Sequence, residues 1–420
     1  MNPFNFHNIN QNQYIMKKIL ILPAIILLLI ISTLSCEKDD SSPSSKYDFI
    51  AIHLRDATNL NPYLSLVRIR NGEAEFTHLT DYYPLTRTAT DFGSWKQNIH
   101  QADGILGFTL HQDFTDNNQW RGVWMDIGDG VVHDVPTLNP CLDFGYSSGC
   151  NRYSFTRRNS VRIGKSGHVF YVAMSAYKDA MWHDEPRYRI IRLDPETGGY
   201  EVSPLISSWT LSQPEIDADR YGLARISEHI YPSTCGRYVY GQTVAWGISG
   251  GSLIASDGIL FRYDFDNEQY SRVSNVGYGF DPMFITADNN YLVYFDREAA
   301  AASRNKKLNM NTGTVSVLHE ATHTANTRQF HVNNYGRVGA GSGYPLRQFG
   351  FFNVVDDQQI DIDVPTHTTS NTISSDGNYI YFRYRFDDTN YLLRTSDLTE
   401  QATIDTVAVL PDNVRVLTIL

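Results

Sequence analysis

The sequence predicts an all-β chain folded as a seven-bladed β-propeller of four-stranded blades, and three observations carry that expectation. One unit recurs: a strand, a tight Gly or Asn turn, an aromatic strand, a long loop, then an apolar strand ending in another turn. The copies follow one another at about 45 to 60 residues, a period that belongs to repeat architectures. The first copy lacks its opening strand, while residues 413–420 at the other end form a strand with nothing downstream to pair with. Both gaps close if the last strand completes the first blade, which also removes an exposed sheet edge.

Taken in order, the first unit spans residues 47–54 and 64–79, and a weaker second copy spans 98–110 and 120–135. The third is 160–173 with 188–203, and the fourth is 228–241 with 259–274. The fifth is 283–295 with 306–318, the sixth 330–341 with 349–362, and the seventh 371–384 with 390–404. Turns between first and second strands fall at Asp103-Gly104, Ser166-Gly167, Cys235-Gly236, Asp288-Asn289, Tyr335-Gly336 and Asp376-Gly377. A twisted β-sandwich is the alternative, and the repeat spacing argues against it. The repeats resemble the YVTN and TolB-like propeller superfamily, with residues 375–382 and 193–199 nearest to its usual wording. That resemblance implies the fold and leaves the function open.

The start of the chain carries an export signal. Lys17 and Lys18 precede an Ile/Leu-rich run that ends at Ser35-Cys36, the layout of a secretory signal rather than a retained span. Residues 1–15 precede a better start at Met16 and read as a mis-called extension. Thr33-Leu34-Ser35-Cys36 resembles a bacterial lipobox of the kind found in Bacteroidota-like lipoproteins. The resemblance implies cleavage after residue 35, lipidation of Cys36, and an outer-membrane anchor. The acidic run Glu37-Lys38-Asp39-Asp40 resembles the tag that accompanies outward display. Residues 36–46, rich in Ser, then form a tether, and 47–420 form one folded domain.

The net charge of −11 argues against nucleic acid as a partner, which requires a concentrated basic footprint. Of the four cysteines, Cys36 is assigned to lipid. Cys141 and Cys150 bracket a short aromatic loop, and an exported chain can oxidise them to a disulfide. Cys235 reads as a lone structural thiol. A Cys-x8-Cys pair without His partners is a poor zinc pattern.

Loop length supplies a direction. The first-to-second and third-to-fourth turns are tight and share one face, whereas the connections at 80–96, 111–119, 137–159, 174–187, 205–228 and 243–258 are long and share the other. An elaborated face is where a propeller binds. Those loops invert the overall charge: Lys96, Tyr146, Arg152, Arg157, Arg158, Trp182, Arg187, Arg225 and Trp246 are among their residues, and Tyr344 adds to the set from a later connection. Aligning blades on their turns places Lys96, Asn159, Glu228, Asp281, Arg328 and Thr369 at equivalent positions near the channel mouth. Arg and Lys recognise carboxylate or catecholate oxygens and aromatic side chains stack on rings, so an anionic, ring-containing ligand follows. The competing use of such aromatics is to pack the loops onto the disc.

Gly247–Gly251 matches the serine-hydrolase elbow in letters only, since that motif needs a strand-to-helix turn. Asp264–Glu268 and Asp217 with Asp219 resemble pieces of calcium loops and read as solvated turns. His229, His331 and His367, with Gln329, resemble the metal shell of propeller oligogalacturonate lyases. That resemblance implies a divalent metal on those four residues, with Arg225 or Arg328 neutralising a carboxylate and Tyr231 or His229 taking the C5 proton. The family's closely paired histidines are missing beside Gln329. The favoured expectation is capture without a cofactor: a lipid-anchored surface propeller that binds a ferric siderophore or acidic glycan for a TonB-dependent transporter. A polysaccharide lyase and a protein-interaction scaffold are the alternatives.

Overall fold

The structure is a computed structural model that describes the strands between Tyr47 and Ile419, with most connections in 127–206 and 231–318; residues 1–46 and the other connections lie outside the described residues. Residues 47–420 form one unit, separate from 1–46. The described residues are built of antiparallel strands, with 3-10 geometry only in short turns and no α-helix.

Seven sheets follow one another along the chain. The first holds β1 (Tyr47–His53), β2 (Tyr63–Arg70) and β3 (Glu73–Asp81), joined on the β1 side by β29 (Val414–Ile419) from the opposite end of the sequence. Phe49 pairs with Ile419 and His53 with Val414, so β29 occupies the position that the first unit leaves empty. The second sheet runs β4 (Ile99–Ala102), β5 (Ile105–His111), β6 (Trp120–Asp126) and β7 (Val132–Asp134). The third contains β8 (Arg152–Thr156), β9 (Arg162–Ile163), β10 (Val169–Tyr177), β11 (Arg187–Leu193) and β12 (Tyr200–Val202). The fourth has β13 (Arg225–Pro232), β14 (Tyr238–Ser249), β15 (Ser252–Asp264) and β16 (Gln269–Asn275).

The fifth sheet comprises β17 (Phe284–Ile285), β18 (Tyr291–Phe295), β19 (Asn305–Asn309) and β20 (Val315–Val317). The sixth comprises β21 (Gln329–Val332), β22 (Arg337–Gly341), β23 (Gln348–Asn353) and β24 (Gln358–Asp363). The seventh comprises β25 (Thr368–Ile373), β26 (Tyr379–Tyr384), β27 (Thr389–Arg394) and β28 (Asp405–Val409). First strands of different sheets touch: β29 meets β4 and β25, β9 meets β4 and β13, and β21 meets β17 and β25.

The apolar core lies between sheets rather than within them. Val67, Ile69, Val414 and Val416 of the first sheet pack against Tyr381 and Leu392 of the seventh. Phe170, Val172 and Ile190 meet Ile230, Val239 and Phe261 across the third and fourth. Tyr240 and Leu260 meet Leu292 and Leu308 across the fourth and fifth. Inner strands thus bury both faces, whereas outer strands such as β12 stay exposed, and apolar and aromatic residues run through 169–174 without strict alternation. Full burial of one such side chain is worth roughly 1.5–3 kcal/mol.

Side-chain acceptors fold back on the turns. Asp126, Asp264 and Asn309 end a third strand and Asp194 directly follows one; they accept a backbone N–H two residues on, at 2.7, 3.1, 3.0 and 2.9 Å respectively. These short polar side chains supply the turn with an acceptor that the ladder no longer offers. Ser233 and Thr286 do the same for first-to-second turns, accepting from Tyr238 N at 3.0 Å and Tyr291 N at 2.9 Å. Gly236 sits in the first of these turns at φ +71°, where a Cβ would stand 2.3 Å from Ser166 Oγ of the neighbouring sheet.

Two expectations need correction. The third sheet has five strands, because its innermost position is split: β8 pairs with the far end of β10 and β9 with its near end. Between them Arg157 N donates to Val172 O at 2.7 Å, and Ser160 Oγ accepts from Val172 N at 3.1 Å. A side chain there replaces part of the ladder and lets the strand break without losing its hydrogen bonds. The second concerns 243–258, expected as a connection. It is instead the shared ribbon of β14 and β15, paired from Tyr238↔Asp264 to Ser249↔Ser252. Trp246 therefore lies on a strand.

Candidate functional site

Strand direction fixes which end of the sheets carries which connection. Every first-to-second and third-to-fourth turn described above lies at one end, and the connection from β7 to β8 lies at the other. That connection, 135–151, is the long one whose fixings are described. It contains the 3-10 turn η1 (Leu142–Phe144) and is crosslinked by the Cys141–Cys150 disulfide, with Cα atoms 5.7 Å apart.

Backbone carbonyls of the segment are gripped from below by the third sheet. Tyr171 Oη donates to Pro136 O and Ser175 Oγ to Pro140 O, both at 2.7 Å. Tyr171 is 1 % exposed, and burial drives its hydroxyl pKa far upward, so it stays a donor. Arg187 Nη1 donates to Phe144 O at 2.6 Å and Gly145 O at 3.1 Å, and Arg189 donates to Asp143 O and Ser203 O. Burial pulls the Arg189 pKa down, opposed by nearby Tyr270 and Asp143. The guanidinium carbons of Arg152 and Arg187 stand 3.8 and 4.0 Å from the Tyr146 ring centroid. Both lie within cation–π range, so two guanidinium groups engage this one ring.

This arrangement revises part of the basic aromatic reading. The Tyr146 ring is already engaged by two guanidinium groups, and Arg152, Arg187 and Arg189 fix the segment. The bonds from Arg187 and Arg189 end on carbonyl oxygens, which carry no net charge. These bonds do not neutralise the guanidinium charges, although the Asp143 carboxylate acts on Arg189 from nearby. Arginine here both clamps and charges the surface, and two positions beyond the segment stand beside it: Tyr153 is 39 % exposed on β8, and Arg157 is half-buried just after it.

The remaining expected residues divide by position. Arg225 and Glu228 fall on β13, and a register shift separates Ile226 from Ile230 around Glu228 and His229. Trp246 falls on β14 opposite Ala255. Gln329 and His331 fall on β21 opposite Gly341 and Gly339, two residues apart and so on one face of the strand. Tyr231 is 9 % exposed in the core between the fourth and fifth sheets, and burial pushes its hydroxyl to about 12. A group so buried and so weakly acidic is poorly suited to take a substrate proton. Cys36, Lys96, Arg158, Asn159, Trp182, Asp281, Arg328, Tyr344 and His367 lie outside the described residues.

Arg162 on β9 escaped the sequence reading. It is 8 % exposed, burial lowers its pKa to about 10, and the field of Tyr231 from the next sheet opposes that shift. Its one sequence signal is a cation between Val161 and Ile163, both 0 % exposed, in a first strand. Among the described residues no group of three His, Cys, Asp or Glu gathers closely enough to hold a metal. Asp264 instead takes a bidentate pair from Arg237, Nε at 2.9 Å and Nη2 at 2.8 Å. Cys235 is exposed, with Ser233 Oγ 3.4 Å from its sulfur.

No protein-family model matches this chain, and no curated protein matches it. Among solved structures it is similar to an oligogalacturonate lyase in complex with manganese, at 11 % identity over 74 % of this chain and 77 % of that one, TM-score 0.43. It is similar to TolB from Acinetobacter baumannii, at 12 % identity over 85 % and 81 %, TM-score 0.37. A periplasmic gluconolactonase of Pseudomonas aeruginosa gives 11 % identity over 89 % and 99 %, TM-score 0.45. These are propeller-type proteins. At these values the likeness assigns neither an activity nor a site.

Proposed function

We propose that the seven sheets are the blades of one closed propeller, anchored through a lipidated Cys36 to the outer membrane and displayed outward. It captures an anionic, ring-containing ligand on its long-connection end and passes it to a TonB-dependent transporter. The pairing of β29 with β1 and the contacts among first strands support closure. A disulfide in the segment that rises over the third sheet fits an oxidising compartment outside the cytoplasm.

The observation that carries the reading is the set of arginines under that segment, held by neutral carbonyls. It presents positive field at one end of an otherwise acidic chain, the arrangement that draws an anion to a defined place. Calorimetric titration of the full chain in detergent with a ferric catecholate complex and with acidic oligosaccharides tests it. Saturable binding that weakens as salt rises supports capture; no binding to either class refutes it. A second reading, a metal-dependent lyase on uronic-acid oligosaccharides, is favoured by Gln329 and His331 sharing a face of β21. Metal-dependent appearance of unsaturated uronate ends, read by ultraviolet absorbance, would replace capture with that chemistry.

A further inference from the structure

The fourth sheet is taller than its own outer strands. β13 pairs with β14 only as far as Arg225↔Val244, and β16 pairs with β15 only as far as Ile259↔Asn275. Beyond those points β14 and β15 continue against each other through Ala245↔Asp257, Trp246↔Ala255, Gly247↔Ile254, Ile248↔Leu253 and Ser249↔Ser252. A bulge between Ala245 and Trp246 marks the departure, as bulges do where a strand is re-aimed. The ribbon rises at the end of the sheet opposite the tight turn at 265–268, the same end as the long connections.

Register sorts its residues onto two faces. Directly opposite residues share a face and neighbours alternate, so positions 246, 248, 253 and 255 fall together, as Trp, Ile, Leu and Ala. The other face receives Gly247, Ser249, Ser252 and Ile254. From Ala245 to Ser256 the sequence contains no charged residue, although proteins usually place charge on a projecting ribbon to keep it from sticking. A two-stranded ribbon gains little stability on its own, and an uncharged, one-sided apolar ribbon calls for something to cover it.

We infer that the face bearing Trp246, Ile248, Leu253 and Ala255 is an apolar wall of the capture site and receives the aryl ring of the ligand. This rests on the capture reading and narrows it, from anionic rings in general to anionic arenes such as catecholates. Size argues for a small molecule over a second copy of the chain. A stable protein interface covers roughly 800 Å² per partner, whereas these four positions are two cross-strand pairs two residues apart, a patch of roughly 7 Å by 5 Å on the backbone that suits one ring system. Chemistry argues for an arene over an acidic sugar. A sugar's hydroxyls lose water on burial and must be hydrogen-bonded in return, and this face has no side chain with a polar acceptor. The charged part of the ligand is left to the arginines of the same end.

The test titrates the full chain in detergent with ferric tris(2,3-dihydroxybenzoate) and with trigalacturonate, for wild type, Trp246→Ala, Leu253→Ser and Ile254→Ala. The expected result is that the arene complex binds, that Trp246→Ala and Leu253→Ser each weaken it about tenfold, and that Ile254→Ala, on the other face, leaves it within about twofold. Thermal unfolding checks that each variant is folded, and Leu253→Ser stands in if Trp246→Ala is not. Binding of the arene that is indifferent to positions 246 and 253 overturns this inference and leaves capture standing. So does binding of trigalacturonate alone. Concentration-dependent self-association that is lost in Leu253→Ser overturns it in favour of a second copy. Failure of both ligands overturns capture itself.

Discussion

Replacing Cys141 and Cys150 together by Ser removes the crosslink of the 135–151 segment without changing its charge. The two cysteines are nine residues apart, and closing a loop of that length in the unfolded chain is worth about 2.6 kcal/mol at room temperature by the loop-entropy relation. The segment has other fixings: the Tyr171 and Ser175 bonds to Pro136 and Pro140, and the two guanidinium contacts on Tyr146. These act in the folded state and survive the substitution, so the loss comes from a freer unfolded chain and falls near the full 2.6 kcal/mol. Guanidinium denaturation of wild type and double variant, under oxidising conditions, measures it. A difference below about 0.5 kcal/mol, the size of an ordinary surface change, would refute the reasoning and show that the reduced segment is constrained equally in the unfolded chain.

Gly236→Ala combines a left-handed backbone with a Cβ 2.3 Å from Ser166 Oγ. It should cost about 2–4 kcal/mol, and adding Ser166→Gly should recover the contact part while leaving the backbone part, as thermal unfolding would reveal. Tyr171→Phe leaves the part-buried Pro136 carbonyl without this donor and should cost about 1–2 kcal/mol, measured by denaturant titration. The Arg237 pair holds the Asp264 carboxyl at about 2, below its ordinary value of 3.8. A depressed folded-state pKa gives stability that is present above about pH 4 and is lost as pH falls toward 2. Asp264→Asn should therefore flatten the acid limb of a stability–pH curve in that window, and an unchanged limb would contradict the assignment. Arg187→Met should loosen the segment and, if capture is correct, weaken anion binding with a smaller dependence on salt.

What was legible in the sequence was whatever local chemistry fixes. The order of strands could be read because turns repeat at fixed offsets, Asp103-Gly104 and Ser166-Gly167 among them, and because a chain-end strand without a partner has few places to go. The ribbon was misread because Gly247, Gly250, Gly251 and the serines around them are turn formers, while the pairing that overrides them is read only from the register of β14 against β15. The split strand was hidden in Arg157–Ser160, where a hydroxyl substitutes for ladder bonds. The site was legible as a bias and not as an assignment. Composition gives the sign of Arg152, Arg187 and Arg189, but whether a guanidinium meets a ligand or a carbonyl 42 or 43 residues away in sequence depends on which segment folds over it.

The pairing of β29 with β1 settles a practical matter of handling. Tyr47 stands beside Ile69, next to the tight turn that leads into β3, and Ile419 stands across from Phe49 on the same strand. Both ends of residues 47–420 thus leave from the tight-turn end. A tag, a surface linkage or a lipid tether joined at either terminus pulls on that end alone and leaves the ribbon and the disulfide-tied segment clear. A cut made in any tight turn would break a hairpin, whereas joining residue 419 to residue 47 through a short linker would turn the paired β29 and β1 into one more hairpin.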